Sequence, residues 1–557
     1  MNRPGKAIDS GATAAHHAAD VSSWSVPRLL MERAVTHRDR DFVQEFDGRV
    51  QTYGATLEAA RRVACGFRQL GVRAGDTVVV MVGNRLEAIN LWLGINLLGA
   101  TEVAINTGYI ANSFEHAVNL CRAATIVIEE AHLPVLRASI GALPHLKSVV
   151  VLGDLSDISD LPGMKVRTYA KLAAHYHGED FTVPQHFDTA SVIYTSGTTG
   201  PAKGVMMPHA QVMLIARMTA DAMRMTDADV FYNFTPLYHM AAKFMGVLGT
   251  MHAGAKLVLD KSFSPGDWIR RVQSCGATVS GGPGTLVQMI NDTKPSPVDR
   301  QHRLTRIYGA PIPKHIAAAF QQRFGVKGIE LWGMTEVGDP CWSPFDEPLR
   351  EGSCGKVDDR WYELAIVDPD TDRMLPPGET GEIVVRPKAP WICMKGYMGM
   401  PEKTVEAWRN LWFHTGDLAY IDAEGYIYFV ARASERIRRR SENISSYEIE
   451  LAALRYPALR EAAAVGVESE YPGDDDIKLC VVGIPGQELD PMHLTVHLAA
   501  LLPHYMVPRY IEVLPELPRT PTSKLQRALM KNPAPEGRLW DRKRAGVSLR
   551  QIVEDKR

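Results

Sequence analysis

The sequence predicts an α/β protein: a large N-terminal domain of stacked α/β subdomains with a β-rich subdomain, joined to a small α+β C-terminal domain. Three observations carry this. Short apolar runs alternate with helix-length segments from about residue 76 to residue 331, the pattern of crossover units whose parallel sheets are covered by helices. Beyond about residue 350, strand-like runs are parted by Pro- and Gly-containing turns instead. A compact helix–strand–strand–helix segment then follows the basic run Arg436–Arg440.

Residues 1–24 are rich in Gly, Ala, Ser and His, lack periodicity, and are expected to form a flexible tail. Val78–Val82 reads as a buried strand, Leu86–Leu98 has helical spacing, and Glu102–Ile105 returns to strand. Thr125–Ile128 and Ser148–Leu152 are further apolar runs. The alternation resumes with Ser191–Tyr194, Val230–Phe234, Lys256–Leu259, Ala277–Val279, Leu304–Tyr308 and Gly328–Leu331. Glu363–Val367, Gly381–Arg386 and Gly425–Ala431 form the β-rich part. Helices are expected over Tyr447–Leu454 and His493–Leu502, and strands over Ala462–Val467 and Lys478–Ile484. The expected organisation is an N-terminal domain over 25–431, a hinge at 432–435, a C-terminal domain over 436–535 and a polar, basic tail over 536–557.

Composition narrows the function. A chain of 557 residues with 45% hydrophobic and 23% charged residues is ordinary for a globular protein. Its 62 basic and 64 acidic side chains leave a formal charge of -2, so nothing points to nucleic acid. Seven scattered cysteines without a Cys-x-x-Cys pair argue against a disulfide framework or structural zinc. No secretory signal and no apolar stretch of membrane-spanning length is seen. The expectation is a cytoplasmic enzyme-sized protein acting on a small molecule; a homo-oligomer is compatible with the sequence.

The strongest chemical signal is Tyr194-Thr-Ser-Gly-Thr-Thr-Gly-Pro-Ala-Lys-Gly204, directly after an apolar strand. Gly197, Gly200 and Gly204 permit a tight loop whose backbone N–H groups face one point. Thr195, Ser196, Thr198, Thr199 and Lys203 add hydroxyls and a positive charge, the donors a polyphosphate needs. The Gly-Lys-Ser/Thr ending of a Walker A loop is missing. The same composition also suits a surface loop.

With this segment the chain is identified as a member of the acyl-adenylate-forming superfamily, which includes acyl-CoA synthetases, luciferases and peptide-synthetase adenylation domains. Trp332-Gly-Met-Thr-Glu336 resembles its aromatic-Gly-x-Thr-Glu motif, and Phe413-His-Thr-Gly-Asp-Leu418 its Thr-Gly-Asp motif. Arg432 with Arg438–Glu450 resembles its hinge region, and Pro518–Arg527, containing Lys524, its C-terminal lysine motif. Residues 438–446 look most like the crotonobetaine/carnitine-CoA ligase-like branch.

The resemblance implies an ATP-dependent carboxylate–CoA ligase (an acid–thiol ligase) that forms acyl-AMP and then acyl-CoA, with Mg²⁺ and coenzyme A. Alternatives are an enzyme that passes acyl-AMP to a carrier protein or other acceptor, and a catalytically weak acyl-adenylate binder. By resemblance, residues 195–200 and Lys203 hold the phosphates, Thr335 donates to phosphate, and Glu336 carries the metal, as a hard carboxylate oxygen suits Mg²⁺. Leu331, Trp332, Gly333, Met334, Gly309, Ala310 and Pro311 would enclose adenine, Asp417 would accept the ribose hydroxyls, and Arg432 would bind the same ribose or a phosphate oxygen, a salt bridge being its other reading. Lys524 would bridge carboxylate and α-phosphate until the mobile C-terminal domain rotates, bringing Arg438, Arg440 and Ser441 to coenzyme A. His239, in Pro236-Leu-Tyr-His239, would position the acyl group or gate the thiol path; a satisfied core histidine is the other reading. The chain departs from the family pattern at Ala202, Ala431, Ser434, Ser441 and Ser523, and Ser441 adds volume on the thiol path. Tyr238–Phe244, Gly281–Leu286 and Trp332–Gly338 are the expected acyl-lining segments.

Overall fold

The computed structural model describes residues 20–46, 48–153, 161, 163–174, 178, 181–195, 202–310, 312, 316–432, 437–439, 442–444, 446–469, 475–502, 506–519, 525–535 and 537–547. Its centre is a pair of sheets built from the apolar runs. In the first, Asp41–Glu45, Lys256–Leu259, Val230–Asn233, Val279–Pro283, Arg306–Ala310 and Lys327–Met334 lie parallel. Val50–Thr52 closes one edge, and Gly338–Trp342 with Lys356–Val357 the other, all antiparallel. In the second, Lys165–Thr168, Ser148–Leu152, Thr125–Glu129, Thr77–Met81, Thr101–Ala104 and Thr189–Thr195 are parallel. Lys203–Pro208 and Gly396–Tyr397 extend it antiparallel. The unbroken Val149–Val151 run is fully buried, as expected of strands covered on both faces.

Helix Leu86–Leu97 is buried from Ala88 onward. A Cβ on its Gly94 would lie 2.6 Å from Val63 Cγ1 of helix Tyr53–Leu70, so glycine is what lets these two helices approach. That second helix is capped by the Thr52 hydroxyl, which accepts from the Ala55 amide at 3.1 Å. It ends at Gly71, whose φ of +95° is left-handed. Neither this helix, nor Val26–Thr36, nor Asp41–Glu45 is among the elements expected from the sequence; regular structure begins well before residue 76.

The β-rich part is an antiparallel sheet of Tyr362–Val367, Gly381–Pro387, Phe413–Ile421 and Ile427–Arg432. Beyond it, Ile437–Arg439 pairs with Glu442–Ile444, and helices Ser446–Ala453 and Pro491–Leu501 accompany a second sheet. That sheet is Leu459–Glu468, Asp475–Gly483, Tyr510–Val513 and Leu539–Asp541. The hinge residues 433–435 lie outside the described residues.

Two boundaries are corrected. Residues 20–24, expected in the flexible tail, are packed: Val21 is buried and the Trp24 and Trp361 rings are 5.4 Å apart. The expected tail from 536 instead contributes an edge strand. Leu539–Asp541 pairs with Tyr510–Val513, and Asp541 accepts an ion pair from Arg509 at 3.3 Å, a polar anchor that composition conceals. None of the seven cysteines is joined in a disulfide; Cys275 is half-buried and the other six are buried. Among the described residues, no helix is long and apolar enough to cross a membrane.

Candidate active site

The sequence motifs gather at the carboxyl ends of the parallel strands, where open α/β sheets form their ligand crevices. Thr195 ends one strand and Lys203 begins its antiparallel return, and the two are direct partners. The Thr195 hydroxyl donates to the Lys203 carbonyl at 3.4 Å. Between these clamped ends, Ser196, Gly197, Thr198, Thr199 and Gly200 lie outside the described residues, as do Pro311, Arg440, Ser441 and Lys524. The base of the Lys524 segment is described: Arg519 bridges Leu525, and the Gln526 amide donates to the Pro518 carbonyl at 2.9 Å.

The Lys203 ammonium stands 4.2 Å from the centre of the Tyr397 ring, a cation–π contact. The Tyr397 hydroxyl in turn donates to Glu336 Oε1 at 2.9 Å. Burial and the Glu336 charge together hold that phenol well above its ordinary pKa, so it remains a donor. Gln211 Nε2 donates to the Thr335 and Glu336 carbonyls at 2.9 and 3.1 Å, and the Met394 amide donates to Glu336 O at 2.8 Å. Thr335 and Glu336 therefore sit on a pinned backbone, one half-buried and the other buried.

Trp332 and Asp417, expected to serve base and ribose separately, are joined: the indole N–H donates to Asp417 Oδ2 at 3.0 Å. Asp417 lies within strand Phe413–Ile421 and not after a free turn; the kink is Gly416, with φ +69°. Glu382 holds that kink, accepting from the Gly416 amide at 2.9 Å and meeting His414 Nδ1 at 2.9 Å. The Thr415 hydroxyl donates to Ile383 O at 2.7 Å. Arg432 is the cross-strand partner of Asp417, and Arg438 lies on strand Ile437–Arg439.

Gly309 and Ala310 end strand Arg306–Ala310, beside Leu331, which is buried on the neighbouring strand. A Cβ on Gly309 would lie 2.5 Å from Ile312 Cγ1, and one on Gly333 2.4 Å from Gly338 O. Both glycines thus bring backbone where a side chain would block it. Met334 is half-buried at the end of the same strand.

His239 is half-buried and its ring is 4.7 Å from that of Tyr238. It leads into Ala241–Leu248, wound as a π-helix, a rare form frequent at functional sites. Lys243 of that helix forms a buried ion pair with Glu102 and lies 5.3 Å from the Trp92 ring centre. Ser191 donates to the same carboxylate at 3.0 Å. A small cavity bordered by Trp92, Glu102, Leu237, Tyr238 and Lys243 lies here.

Sequence reasoning passed over Tyr397, Gln211, Glu382, Glu330 and Asp339. Glu330, 1% exposed, is the direct partner of Gly309, and burial pushes its carboxyl up to about 8. Its signal was available: an acid interrupting the apolar run Gly328–Leu331. The others become visible only when segments distant in sequence meet.

A profile of AMP-binding enzymes matches residues 30–398, and one of the AMP-binding enzyme C-terminal domain matches residues 448–524. The chain belongs to the AMP-binding enzyme family. Among curated relatives of this AMP-binding enzyme, crotonobetaine/carnitine–CoA ligase of Salmonella paratyphi A is 28% identical over 484 residues, 85% of this chain and 92% of that protein. The ligase of the same name from Escherichia coli O1:K1 / APEC is 29% identical over 485 residues, covering 84% and 91%. Among solved structures, the anthranilate CoA ligase AuaEII with anthranoyl-AMP superposes at a TM-score of 0.83 with 23% identity, over 92% of this chain and 97% of that one. A benzoate CoA ligase from Burkholderia xenovorans gives a TM-score of 0.81 with 19% identity, over 91% and 100%. These place the two parallel sheets, the β-rich sheet and the small C-terminal domain in the fold of the family.

Proposed function

We propose that the protein is an ATP-dependent carboxylate–CoA ligase that forms an acyl-AMP intermediate and releases pyrophosphate and AMP. One observation carries the reading: Lys203, Tyr397 and Glu336 form a continuous contact chain. It places a cation at the mouth of the Gly/Ser/Thr loop and a buried carboxylate on one device, the donor and acceptor pair that a metal-bound polyphosphate requires.

Carboxylate and ATP are both anions, and the protein's work in their first encounter is positioning and charge neutralisation. Lys203 supplies positive charge beside the loop 196–200. The Trp332–Asp417 bond fixes one carboxylate oxygen and aims the other group of the pair at a ribose, while Gly309 and Gly333 open backbone walls for the base. Glu336, a single hard carboxylate, fits Mg²⁺, which keeps most of its sphere for phosphate oxygens and waters. When bound, that ion supplies neutralisation of the β- and γ-phosphate charge. Lys524 bridges the substrate carboxylate and the α-phosphate, a task for a compact ammonium on a long stem. The carboxylate oxygen attacks the α-phosphorus and pyrophosphate leaves. Rotation of the C-terminal domain about residues 432–435 then withdraws Lys524. The coenzyme A thiolate attacks the acyl carbon and AMP leaves, with Arg438 and Arg440 meeting coenzyme A phosphates and Ser441 bordering the thiol path. His239 and Tyr238 lie where acyl group and thiol meet.

The names of the curated relatives support small organic acids as substrates. The experiment is a panel of carboxylic acids scored by pyrophosphate release, repeated with and without coenzyme A. The expected result is acid-dependent pyrophosphate release, with stoichiometric acyl-CoA and AMP only when coenzyme A is present. Absence of pyrophosphate with every acid, or acyl-AMP that never yields thioester, refutes the proposal.

A further inference from the structure

The cavity beside Lys243 has walls of two kinds. Val80, Val82 and Ala104, at the carboxyl ends of strands Thr77–Met81 and Thr101–Ala104, give it apolar sides together with Leu237. Trp92 of helix Leu86–Leu97, Glu102, Tyr238 and Lys243 bring polar atoms to it. The space amounts to about 290 Å³, counting the part that opens to solvent, and its enclosed part takes a group the size of a water.

The two charges here are already matched. The Lys243 ammonium donates to both Glu102 oxygens, and the Ser191 hydroxyl donates to Glu102 Oε2 at 3.0 Å. A further charge brought beside this pair would stand uncompensated where water is excluded. The Trp92 indole is different. It is 1% exposed, its ring meets that of Phe244 edge-on at 5.9 Å, and among the described residues its N–H has no acceptor. A buried indole N–H ordinarily finds one, and leaving it without costs free energy that an oxygen in the cavity would recover.

The cavity joins the site through its own walls. Tyr238 and Lys243 belong to the 238–244 segment expected to line the acyl site, and the Tyr238 ring stands 4.7 Å from that of His239. We propose that this cavity is the far end of the acyl site, and that Trp92 is a specificity-determining residue that selects carboxylic acids whose remote end carries a small neutral oxygen, a hydroxyl above all. The hydrocarbon part of such an acid lies along the apolar walls, and its terminal oxygen accepts from Trp92 Nε1. The narrow enclosed part excludes a branched or quaternary end, and the matched Lys243–Glu102 pair disfavours an ionic one.

The inference rests on the ligase reading, and the experiment keeps the two apart. Unbranched ω-hydroxy acids of four to eight carbons are compared with the alkanoates in which methyl replaces the hydroxyl, and with dicarboxylates and ω-ammonio acids of matching length. Pyrophosphate release and calorimetric binding are read for wild type and two variants. Trp92→Phe keeps a ring and deletes the N–H; Ala104→Val fills part of the cavity. At the length that reaches the cavity, wild type should favour the hydroxy acid over its methyl isostere by about tenfold in kcat/KM, the discrimination that one hydrogen bond supplies. Trp92→Phe should bring that ratio to about one while the isostere changes less than about threefold. Ala104→Val should shift the preferred acid to a shorter one, and decides alone if Trp92→Phe does not fold. The proposal is overturned by a wild type that favours the hydroxy acid at no length or prefers a charged acid, by a ratio that survives Trp92→Phe, or by a length profile that Ala104→Val leaves unmoved. If no acid yields pyrophosphate, the ligase reading fails; binding of a hydroxy acid that Trp92→Phe weakens would still uphold the proposal, and its absence would overturn it. A purely structural Trp92 predicts a lower melting temperature with every ratio between acids unchanged.

Discussion

Replacing Tyr397 by Phe tests the contact chain at its centre. The substitution keeps the ring over which Lys203 stands and removes only the hydroxyl that donates to Glu336 Oε1 at 2.9 Å. Both residues are buried, so the carboxylate loses a bond that water does not readily replace. A hydrogen bond to a charged group contributes about 1.5–3 kcal/mol, and each 1.4 kcal/mol is tenfold in an equilibrium. If the hydroxyl holds Glu336 in place for a metal-bound triphosphate, the half-saturating Mg²⁺ concentration and the KM for ATP rise about 10- to 100-fold. The KM for coenzyme A, bound after pyrophosphate leaves, changes little. The assay is pyrophosphate release titrated with Mg²⁺ at fixed ATP, together with calorimetric titration of the variant with a non-hydrolysable ATP analogue. Unchanged Mg²⁺ and ATP dependence, with only a lowered melting temperature, would show that Tyr397 merely packs against Glu336 and would refute the reasoning.

Other outcomes follow from the same geometry. Trp332→Phe removes the N–H that orients Asp417 and should raise the ATP KM several-fold, in steady-state kinetics, with a smaller effect on thioester formation from preformed acyl-AMP. Glu382→Gln weakens the hold on Gly416 and His414; denaturant unfolding should show a loss of about 1–3 kcal/mol. Lys243→Met leaves the Glu102 charge buried and unpaired, costing about 3–5 kcal/mol, while pairing it with Glu102→Leu restores most of that loss; a double-mutant cycle in urea decides. Glu330 is an acid whose folded pKa is raised from 4.5 to about 8 by burial. The folded state therefore binds its proton more tightly, and its stabilising contribution is complete below about pH 4 and fades as pH climbs to about 8. Glu330→Gln should flatten the decline in melting temperature over that window, and an unaltered slope would exclude it as the cause.

Much of the scaffold was legible because a parallel strand covered on both faces must be continuously apolar, and Val78–Val82 and Ser148–Leu152 are. The return strand Lys203–Pro208 was not legible. Its neighbours on the sheet lie on both sides of it in space, one of them Gly396–Tyr397, so no local period marks it. The long helix Tyr53–Leu70 was hidden by the arginines of its exposed face and by Gly54 and Gly66, which let Arg38 and Leu172 approach it closely. Within the site, the motifs named Trp332, Glu336 and Asp417, but not the bonds among them. Trp332 and Asp417 are 85 positions apart, and Glu336 and Tyr397 61 apart; such pairings are a property of the folded chain. The strand Leu539–Asp541 was concealed for the opposite reason: its ion-paired residues look like solvent-facing polarity.

The burial of nearly every thiol has a practical corollary. Burial pushes the thiols of Cys121 and half-buried Cys275 up to about 11 and those of Cys354 and Cys480 to about 12, so at neutral pH they are poor nucleophiles. The natural chain is therefore a quiet background for maleimide chemistry. A single surface cysteine engineered on the 446–547 side, read against a second dye on the larger domain, would test for the proposed rotation between half-reactions without first stripping the protein of its own sulfur.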